Sequence, residues 1–583
     1  MYVSEPNYAA FVFILIFSVL IKAKQIMFTK KLLPLVLLAL SHNLFAVDLP
    51  SAGGQMQQIP PAPVPQKWVP KIEIKQDKAP VKPESDGIKI NVKRLQVAGA
   101  QAYSEAELIA VTEFKPGSEL TLSGLRAMAT KIAGYYHRHG YFVAQAYLPA
   151  QDIKNGVVTI AVIEGHYGKI KLNNEANLSG SLLNSHFTEL KSGDPVIYIP
   201  LENSLLLLSD VPGVKVKSTM VPGSSLGASD LIVDVMPGKR VTGAVDADNA
   251  GNLYTGRYRV GATVNVNNLT GHGDVASLRA MTSGSGMHYA RAAYQMQLAK
   301  ATGGIAYSYL DYELGHEFES LQAHGTVKTA SLFGSYPLIR SRNNNLYAGL
   351  AYDDKTIQDK VDSIPSVTDK SIHVLMGSLY GDHADSLGGG GFNHYSLTWS
   401  FGELDIETPA VRALNEATVR SNGHYNKLGF NASRLQRITE SISLYAGING
   451  QLASKNLDVS EKMELGGMYA VRAYPEGEAY ADEGYVLHLE ARKQLPQFSE
   501  EQHSQVQLIG FVDTGSVKVN KETGSWATPP NRRTLSGAGI GINWSENNNF
   551  TVRTYYAFKL GNEDATSAPD KSGRFWIQVV KYF

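Results

Sequence analysis

The carboxy-terminal part of the chain, from Arg240 to Phe583, consists of short segments in which apolar and polar residues alternate. In residues 257–266 the apolar side chains fall on one face of an extended strand, and arginine, threonine and asparagine fall on the other. Residues 535–544 and 550–560 repeat this pattern. A soluble sandwich also alternates, but it buries its apolar face in a shared core. Because the polar faces here carry arginine and lysine, the pattern favours a wet lumen with the apolar face turned to lipid.

The length of this stretch allows about 16 strands of roughly 10 residues each, with turns. We therefore predict a transmembrane antiparallel β-barrel over residues 239–583. The chain has 54 glycines, which suit tight turns, and 30 tyrosines, which suit the aromatic girdles of such barrels. The formal net charge is zero, so nucleic acid is not expected as a partner. The sequence has no cysteine, which excludes disulfides and thiolate metal sites.

Two apolar runs open the chain. Residues 9–21 are too few to span a bilayer comfortably, because a spanning helix takes about 20 residues. The second run begins at Met27, where two lysines precede residues 32–40 and a small residue follows, which is the order of a secretory signal peptide. We predict that translation starts at Met27 and that residues 1–46 are an N-terminal extension and signal peptide. The alternative is a short membrane anchor.

Residues 47–87 are rich in proline and polar residues and predict an extended plug or linker segment without a core of its own. A short helix around Gln55 to Gln58 is only weakly indicated.

Two small modules are predicted between this segment and the barrel. Residues 88–165 show the order β-α-α-β-β, with a capping-box pair at Ser104 and Glu107 and a helix-ending glycine at Gly140. Residues 166–238 repeat the order more faintly. Each module is expected to have a short three-stranded sheet whose edge can accept another strand.

Several motifs resemble one known family. Residues 140–151 and 158–165 (GYFVAQAYLPAQ and VTIAVIEG) resemble the first polypeptide-transport-associated (POTRA) module of the TpsB transporters of two-partner secretion, the haemolysin secretion/activation proteins. Residues 211–216 with 227–233 resemble the second POTRA module. The turn NLTGHGD at 268–274 resembles one that opens the barrel in this outer-membrane assembly superfamily. The resemblance implies α+β POTRA modules in the periplasm, followed by a barrel in the bacterial outer membrane.

Two further motifs lie within the predicted barrel. Residues 466–474 resemble the VRGY motif of a long extracellular loop that folds back into the lumen, predicted here at about 455–484. Residues 511–515, FVDTG, resemble the family's F-x-D-x-G strand motif. The loop motif comprises Val471, Arg472, Ala473 and Tyr474, with alanine where the family has glycine, and the strand motif comprises Phe511, Asp513 and Gly515.

The alternation of residues places Asp513 on the lumen side of its strand, and it places His488, Glu490 and Arg492 on the lumen side of the preceding one. A carboxylate on the wall can bind the planar fork of an arginine with two parallel bonds, which lysine could not reproduce. We therefore hypothesise that Arg472 pairs with Asp513 and holds the loop in the lumen. The alternative is a solvated loop arginine and an unrelated strand aspartate.

Other candidate sites are declined. His137 and His139 lie two apart at a helix end and face different sides, so no metal site is predicted. The four glycines at 388–391 are not followed by Lys-Ser/Thr and predict a turn or close packing instead of a phosphate loop. No catalytic nucleophile motif is found, and neither an enzymatic activity nor a cofactor is expected.

The resemblance implies an outer-membrane pore that exports a large, β-rich exoprotein. The client's N-terminal secretion domain would bind the POTRA modules by strand addition, and the client would thread the lumen while folding outside drives export. Expected partners are this exoprotein, outer-membrane lipid and, during biogenesis, the barrel assembly machinery. The final aromatic residue, Phe583, resembles the signal by which that machinery recognises bacterial barrels. The rivals are a barrel-assembly insertase of the same superfamily, a passive porin and an outer-membrane enzyme in which lumen carboxylates such as Glu490 would act.

The signal-peptide hypothesis has a direct test. N-terminal sequencing of the mature protein should return a chain that begins near Val47, because the apolar run after Met27 would be removed on export. A mature chain that begins at Met1 would contradict it.

Overall fold

The computed structural model describes residues 49–65, 72–74, 89–497, 503–527 and 529–583. The predicted signal peptide, the start at Met27 and the cleavage near Val47 lie outside the described residues. Among the described residues, no helix is both long and apolar enough to cross a membrane.

The N-terminal segment contributes two short elements. Helix α1, Ala52–Gln57, lies where the sequence only weakly indicated a helix, and strand β1 spans Ile72–Ile74. The first module follows, and its elements are β2 (Lys89–Val92), β3 (Arg94–Ala98), α2 (Glu105–Thr112), β4 (Ser118–Thr121), α3 (Leu122–Arg138), β5 (Gln145–Tyr147) and β6 (Val157–Ile163).

In the first module, the first helix begins and the second helix ends where the sequence predicted. The Ser104 hydroxyl accepts a hydrogen bond from the Glu107 backbone N–H, and Gly140 adopts a φ of 92° after α3. The observed order of elements differs from the predicted order in one respect: β4 lies between the two helices and pairs with β2 in a separate two-stranded sheet. The predicted single first strand is therefore two strands, and β3, β6 and β5 form the three-stranded sheet.

The second module contains β7 (His166–Asn174), α4 (Gly180–Ser185), α5 (Tyr198–Ser209), β8 (Val214–Pro222) and β9 (Ala228–Pro237). Helix α5 packs its leucines into the core of this module, where Leu201, Leu205 and Leu208 are almost fully buried. The sheet has four strands, in the order β1-β8-β9-β7. Strand β1 from the N-terminal segment pairs in parallel with β8. One edge that the sequence predicted to be open to a partner is therefore occupied by the chain itself.

The remaining strands form a closed antiparallel barrel of 16 strands, which confirms the predicted fold class. Its strands are β10 (Val241–Asp248), β11 (Arg259–Asn267), β12 (Val275–Thr282), β13 (Met287–Leu298), β14 (Ala301–Glu313), β15 (Ala323–Arg340), β16 (Asn344–Val361), β17 (Ser366–Asp385), β18 (Gly391–Ile406), β19 (Gly423–Arg437), β20 (Ile442–Ala453), β23 (Glu483–Gln494), β24 (Gln505–Lys518), β25 (Arg532–Glu546), β26 (Phe550–Lys559) and β27 (Gly573–Tyr582). Between β20 and β23, the short strands β21 (Met463–Glu464) and β22 (Tyr480–Ala481) pair with each other.

The barrel wall separates an apolar outer face from a polar inner face. Along β25, Ile540, Ile542 and Trp544 are exposed to the outside, as the alternation predicted. On the inner face of β11, Arg259 is buried and its Nε lies 2.8 Å from Oδ1 of Asp248. Arg259 is therefore retained on the inner face as a paired charge.

The second module docks on the turns at one end of the barrel, here called the module side. Arg340 at the end of β15 makes a two-point contact with Asp210, with Nε 2.7 Å from Oδ2 and Nη2 3.2 Å from Oδ1. The neighbouring Arg342 donates to Glu202 at 2.7 Å. The turn at residues 268–274 also touches the module, because Gly271 accepts a hydrogen bond from the Ser179 N–H.

The barrel closes between its first and last strands. The backbone groups of Phe583 and Gly243 exchange two hydrogen bonds of 3.1 and 3.2 Å. A Cβ at Gly243 would lie 2.4 Å from the Phe583 ring, so the absent side chain leaves room for that ring. The terminal aromatic residue thus packs directly on the seam.

A short polar tail added after Phe583 should lower the amount of protein inserted in the membrane. The tail would remove the aromatic residue from the chain end and place polar groups beside the seam. The same residues inserted at Gly284, where a side chain would meet open space, serve as the control. Unchanged membrane levels of the tailed protein in cell fractions would contradict the prediction.

Candidate functional site: a loop bound inside the barrel

The connection between β20 and β23, residues 454–482, folds back into the lumen and is called here the re-entrant loop. Most of its residues are buried. It turns at Gly467, whose φ is 106°, and the Val471 N–H then donates to the Leu465 carbonyl at 3.0 Å. This tight turn presents Arg472 to the wall.

The structure brings Arg472 and Asp513 together. Nε of Arg472 donates to Oδ2 of Asp513 at 2.8 Å, and Nη2 donates to Oδ1 at 2.7 Å. The backbone N–H of Arg472 also donates to Oδ2, at 3.2 Å. Arg472 is 4% exposed and Asp513 is fully buried, so each charge depends on the other for compensation. We call these two residues the lumen pair.

Aromatic side chains enclose the guanidinium. Its central carbon lies 3.5 Å from the ring centroid of Phe511 and 4.8 Å from that of Tyr555, within the range of cation–π contacts. The indole N–H of Trp576 donates to the Arg472 carbonyl at 2.7 Å. Phe511 of the strand motif therefore packs on the arginine beside the carboxylate that binds it.

Glycines on the wall make room for the loop. A Cβ at Gly515 would lie 2.5 Å from Cδ1 of Leu465, and a Cβ at Gly537 would lie 2.4 Å from Cβ of Ala473. Both distances are too short for a side chain to be accommodated without displacement. The alanine that departs from the family motif thus occupies space that Gly537 leaves open.

The three lumen-facing candidates on β23 also converge on the lumen pair. Nδ1 of His488 lies 2.8 Å from Oδ1 of Asp513, and Oε1 of Glu490 lies 2.9 Å from Nη2 of Arg472. Arg492 binds the other oxygen of Glu490 at 2.7 Å. The contacts therefore form a series, Arg492–Glu490–Arg472–Asp513, in which two arginines alternate with two carboxylates and His488 follows Asp513.

The other residues of the loop motif are buried. Val471 and Ala473 pack in an apolar cluster with Phe511 and Leu535 of the wall. The Tyr474 hydroxyl donates to the Glu563 carbonyl at 3.0 Å, in the connection between β26 and β27.

Sequence reasoning missed a second attachment, at Glu478. Its buried carboxylate lies 2.9 Å from Nη2 of Arg533 and accepts hydrogen bonds from the backbone N–H and hydroxyl groups of Thr566 and Ser567. No periodic pattern marks these positions, because all but Arg533 lie in irregular connections. Glu478 binds the re-entrant loop to the neighbouring connection, residues 560–572.

Lysines on the inner wall bind the start of the loop. Glu461 lies 2.6 Å from Lys355 and 2.7 Å from Lys427, and Asp458 lies 2.8 Å from Lys370. The alternation of residues would have placed these lysines inside, but nothing in the sequence assigns the loop carboxylates to them.

Helix α1 lies inside the barrel beside the loop. Its first N–H, from Ala52, donates to Oδ1 of Asp359 at 2.8 Å, and the carbonyl of Gln58 after its last turn accepts from Arg259 at 2.7 Å. The side chain of Gln58 donates to the Tyr480 hydroxyl of the loop at 2.6 Å. The lumen therefore holds two segments, and each contacts the wall and the other.

The histidines and glycines at which no binding site was predicted have structural roles. Nε2 of His137 lies 2.8 Å from the Ala144 carbonyl, and the glycines at 388–391 form the module-side turn between β17 and β18. No cluster of three or more potential metal ligands occurs within the described part of the chain.

Comparisons with known proteins agree with this architecture. A family model described as haemolysin secretion/activation protein ShlB/FhaC/HecB matches residues 227–544, and one described as POTRA domain, ShlB-type, matches residues 90–165. Heme/hemopexin transporter protein HuxB of Haemophilus influenzae is 29% identical over 554 residues, which cover 93% of this chain and 97% of that protein. Outer membrane transporter CdiB of Dickeya dadantii is 23% identical over 435 residues, covering 72% and 74%. The solved structure of CdiB from Escherichia coli shares the fold, with a TM-score of 0.64 at 20% identity over 86% of this chain and 93% of that chain.

Removing either member of the lumen pair should free the loop. In Arg472→Ala, His488 is, among the described residues, the one remaining side-chain partner of the buried Asp513 carboxylate. Loss of one partner of a buried ion pair lowers the free energy of unfolding by about 3–5 kcal/mol. We expect transport by Arg472→Ala and Asp513→Ala proteins to fall strongly at unchanged protein levels. Arg412→Ala, which breaks an exposed pair with Asp405, is the control and should have little effect. Wild-type transport by both lumen variants would contradict a role for the pair.

Proposed function

The chain belongs to the ShlB/FhaC/HecB family of haemolysin secretion/activation proteins and is an outer-membrane transporter of two-partner secretion. From this premise we propose how its lumen is closed and where its client first binds. The barrel lies in the outer membrane, the modules lie in the periplasm, and the partner is an exported exoprotein. The module side is therefore periplasmic, and the opposite end, which includes residues 560–572, is extracellular.

We propose that the lumen pair holds the re-entrant loop in a closed resting state. The supporting observation is the two-point contact of Arg472 with Asp513 inside the wall. Helix α1 shares this state, because Gln58 binds Tyr480 of the loop. A client chain could pass only after both segments leave their positions. A bidentate, buried pair suits this role because it fixes one geometry while adding little net stability.

We propose that the client's N-terminal secretion domain first adds a strand to β5 of the first module. Strand β5 lies at an edge of its sheet, and Tyr147 on it is 42% exposed. In the second module, by contrast, β1 already covers the edge at β8. Strand addition supplies affinity through backbone hydrogen bonds and makes few demands on client sequence.

The remaining partners follow from the barrel surface. We propose that outer-membrane lipid contacts the exposed apolar face and that the barrel assembly machinery recognises Phe583 during biogenesis. We also propose that export involves no catalysis by this chain, since Glu490, the carboxylate that could suggest a hydrolase, is bound to Arg472 and Arg492.

Deletion of the gene should remove one large exoprotein from the culture medium, because each transporter of this kind serves a partner. The medium of the deletion strain, compared by mass spectrometry with that of a complemented strain, identifies the client. A medium that lacks nothing, alongside loss of several outer-membrane barrels, would instead support the insertase alternative.

Cross-linking tests the first binding position. The natural chain has no cysteine, so Tyr147→Cys provides a single thiol for a photoreactive label. We expect this label to cross-link the client's secretion domain, whereas Lys154→Cys, in the exposed turn before β6, should not. Equal cross-linking from both positions, or from the control alone, would contradict strand addition at β5.

A further inference from the structure

A cationic pocket lies at the extracellular end of the seam between the first and last barrel strands. It has a volume of about 340 Å³ and is formed by the connection before β11, the start of β27 and the tip of the re-entrant loop. Its charged lining residues are Arg257, Lys571, Arg574 and Glu476. The lumen pair and the client-binding edge use none of these four residues.

Arg574 lacks the partners that a buried guanidinium normally has. It is 9% exposed, and its Nε has no hydrogen-bond partner within the described part of the chain. Its Nη2 makes one hydrogen bond, a 3.2 Å contact with the Pro569 carbonyl. A buried donor left unsatisfied costs free energy, and more when the donor is charged. Arg257 and Arg574 both line the pocket, so two guanidinium groups of like charge face one space.

The nearby carboxylates are engaged elsewhere. Oε1 of Glu476 accepts the Met468 N–H at 2.8 Å, and Gly467 packs against the same carboxylate. Asp570 binds Lys559 at 2.5 Å and the Ala565 N–H at 2.8 Å. Glu478, which does not line the pocket, is bound by Arg533 and by residues 566–567. The pocket therefore has three cations against a single lining carboxylate.

Aromatic residues place the pocket at the membrane surface. Tyr258 is 76% exposed and follows Arg257, and Phe575 is 52% exposed and follows Arg574. Both line the pocket, as does the exposed Tyr556 of β26. Exposed aromatic rings at strand ends mark the level where hydrocarbon meets headgroups. On β27, Phe575 faces outward while Arg574 and Trp576 face inward, so the pocket joins both faces of the wall at the seam. An anion in it can therefore be reached from the level of the outer-leaflet phosphates.

We propose that this pocket binds a phosphate group of an outer-leaflet glycolipid, with Arg257 and Arg574 as its principal ligands and Lys571 at its rim. A phosphate offers the oxygens that planar guanidinium groups bind with two parallel hydrogen bonds. It would satisfy the unpaired Nε of Arg574 and relieve the repulsion between the two arginines. The bound lipid would brace the seam where the connections before β11 and β27 meet.

Native mass spectrometry of the full-length, detergent-solubilised protein tests the proposal. The probes are bis-phosphorylated lipid A, the same lipid after removal of its phosphates, and inorganic phosphate. The test variant is Arg257→Gln with Arg574→Gln, and Arg574→Lys retains the charge without the planar fork. The control is Arg532→Gln, an exposed arginine at the extracellular end of β25 and outside this pocket. Heat-modifiable electrophoretic mobility establishes that each barrel is folded.

We expect phosphorylated lipid A to bind the wild-type and Arg532→Gln proteins equally. The double variant should bind it at least about tenfold more weakly, because it loses the charge-assisted hydrogen bonds of both guanidinium groups. Arg574→Lys should fall between them. Binding that persists in the double variant, or that is unchanged when lipid phosphates are removed, would overturn the proposal. Stronger binding of inorganic phosphate than of lipid A would overturn the assignment to a lipid.

Discussion

We propose that the closed state of the lumen depends on one buried ion pair. Neither a guanidinium nor a carboxylate is stable when it is buried without a partner, because the free-energy cost of its desolvation exceeds the stabilisation that the surrounding groups provide. Arg472 and Asp513 meet this condition with two parallel hydrogen bonds, and the Arg472 backbone N–H adds a third. The two parallel bonds hold the guanidinium in one orientation against the carboxylate. In our proposal the pair therefore fixes the position of the loop more than it adds to the stability of the barrel.

The surrounding residues leave space for the loop that carries Arg472 and pack against its guanidinium. Gly515 and Gly537 leave space on the wall for Leu465 and Ala473, and Phe511 covers the guanidinium. Farther along the loop, Glu478 and the carboxylates near its start bind other parts of the barrel. Helix α1 then packs against both wall and loop. Because the N-terminal segment provides this helix and also β1 on the second module, one stretch of chain contacts both the lumen and the periplasmic sheet.

Much of this arrangement was predictable from the sequence, for a physical reason. Residues of a strand alternate between two environments, so parity alone places Asp513, His488 and Glu490 inside and Ile540 outside. Parity fails where both faces are apolar: in residues 575–583 it could not indicate that Trp576 turns inward to bind the loop. Strands β1 and β4 were missed because three or four residues are too few to show a period. The contact of Glu478 with Thr566 joins two irregular connections, for which sequence offers no rule of register.

The distance between the loop and the wall tests the central claim most directly. In this cysteine-free chain, spin labels at Tyr469→Cys in the loop and Arg532→Cys at the rim report that distance by pulsed electron resonance. The account predicts one narrow distance distribution in the otherwise unaltered protein. It predicts a broad or shifted distribution when Asp513→Ala is added. The same narrow distribution in both would mean that the loop keeps its place without the pair, and it would contradict the account.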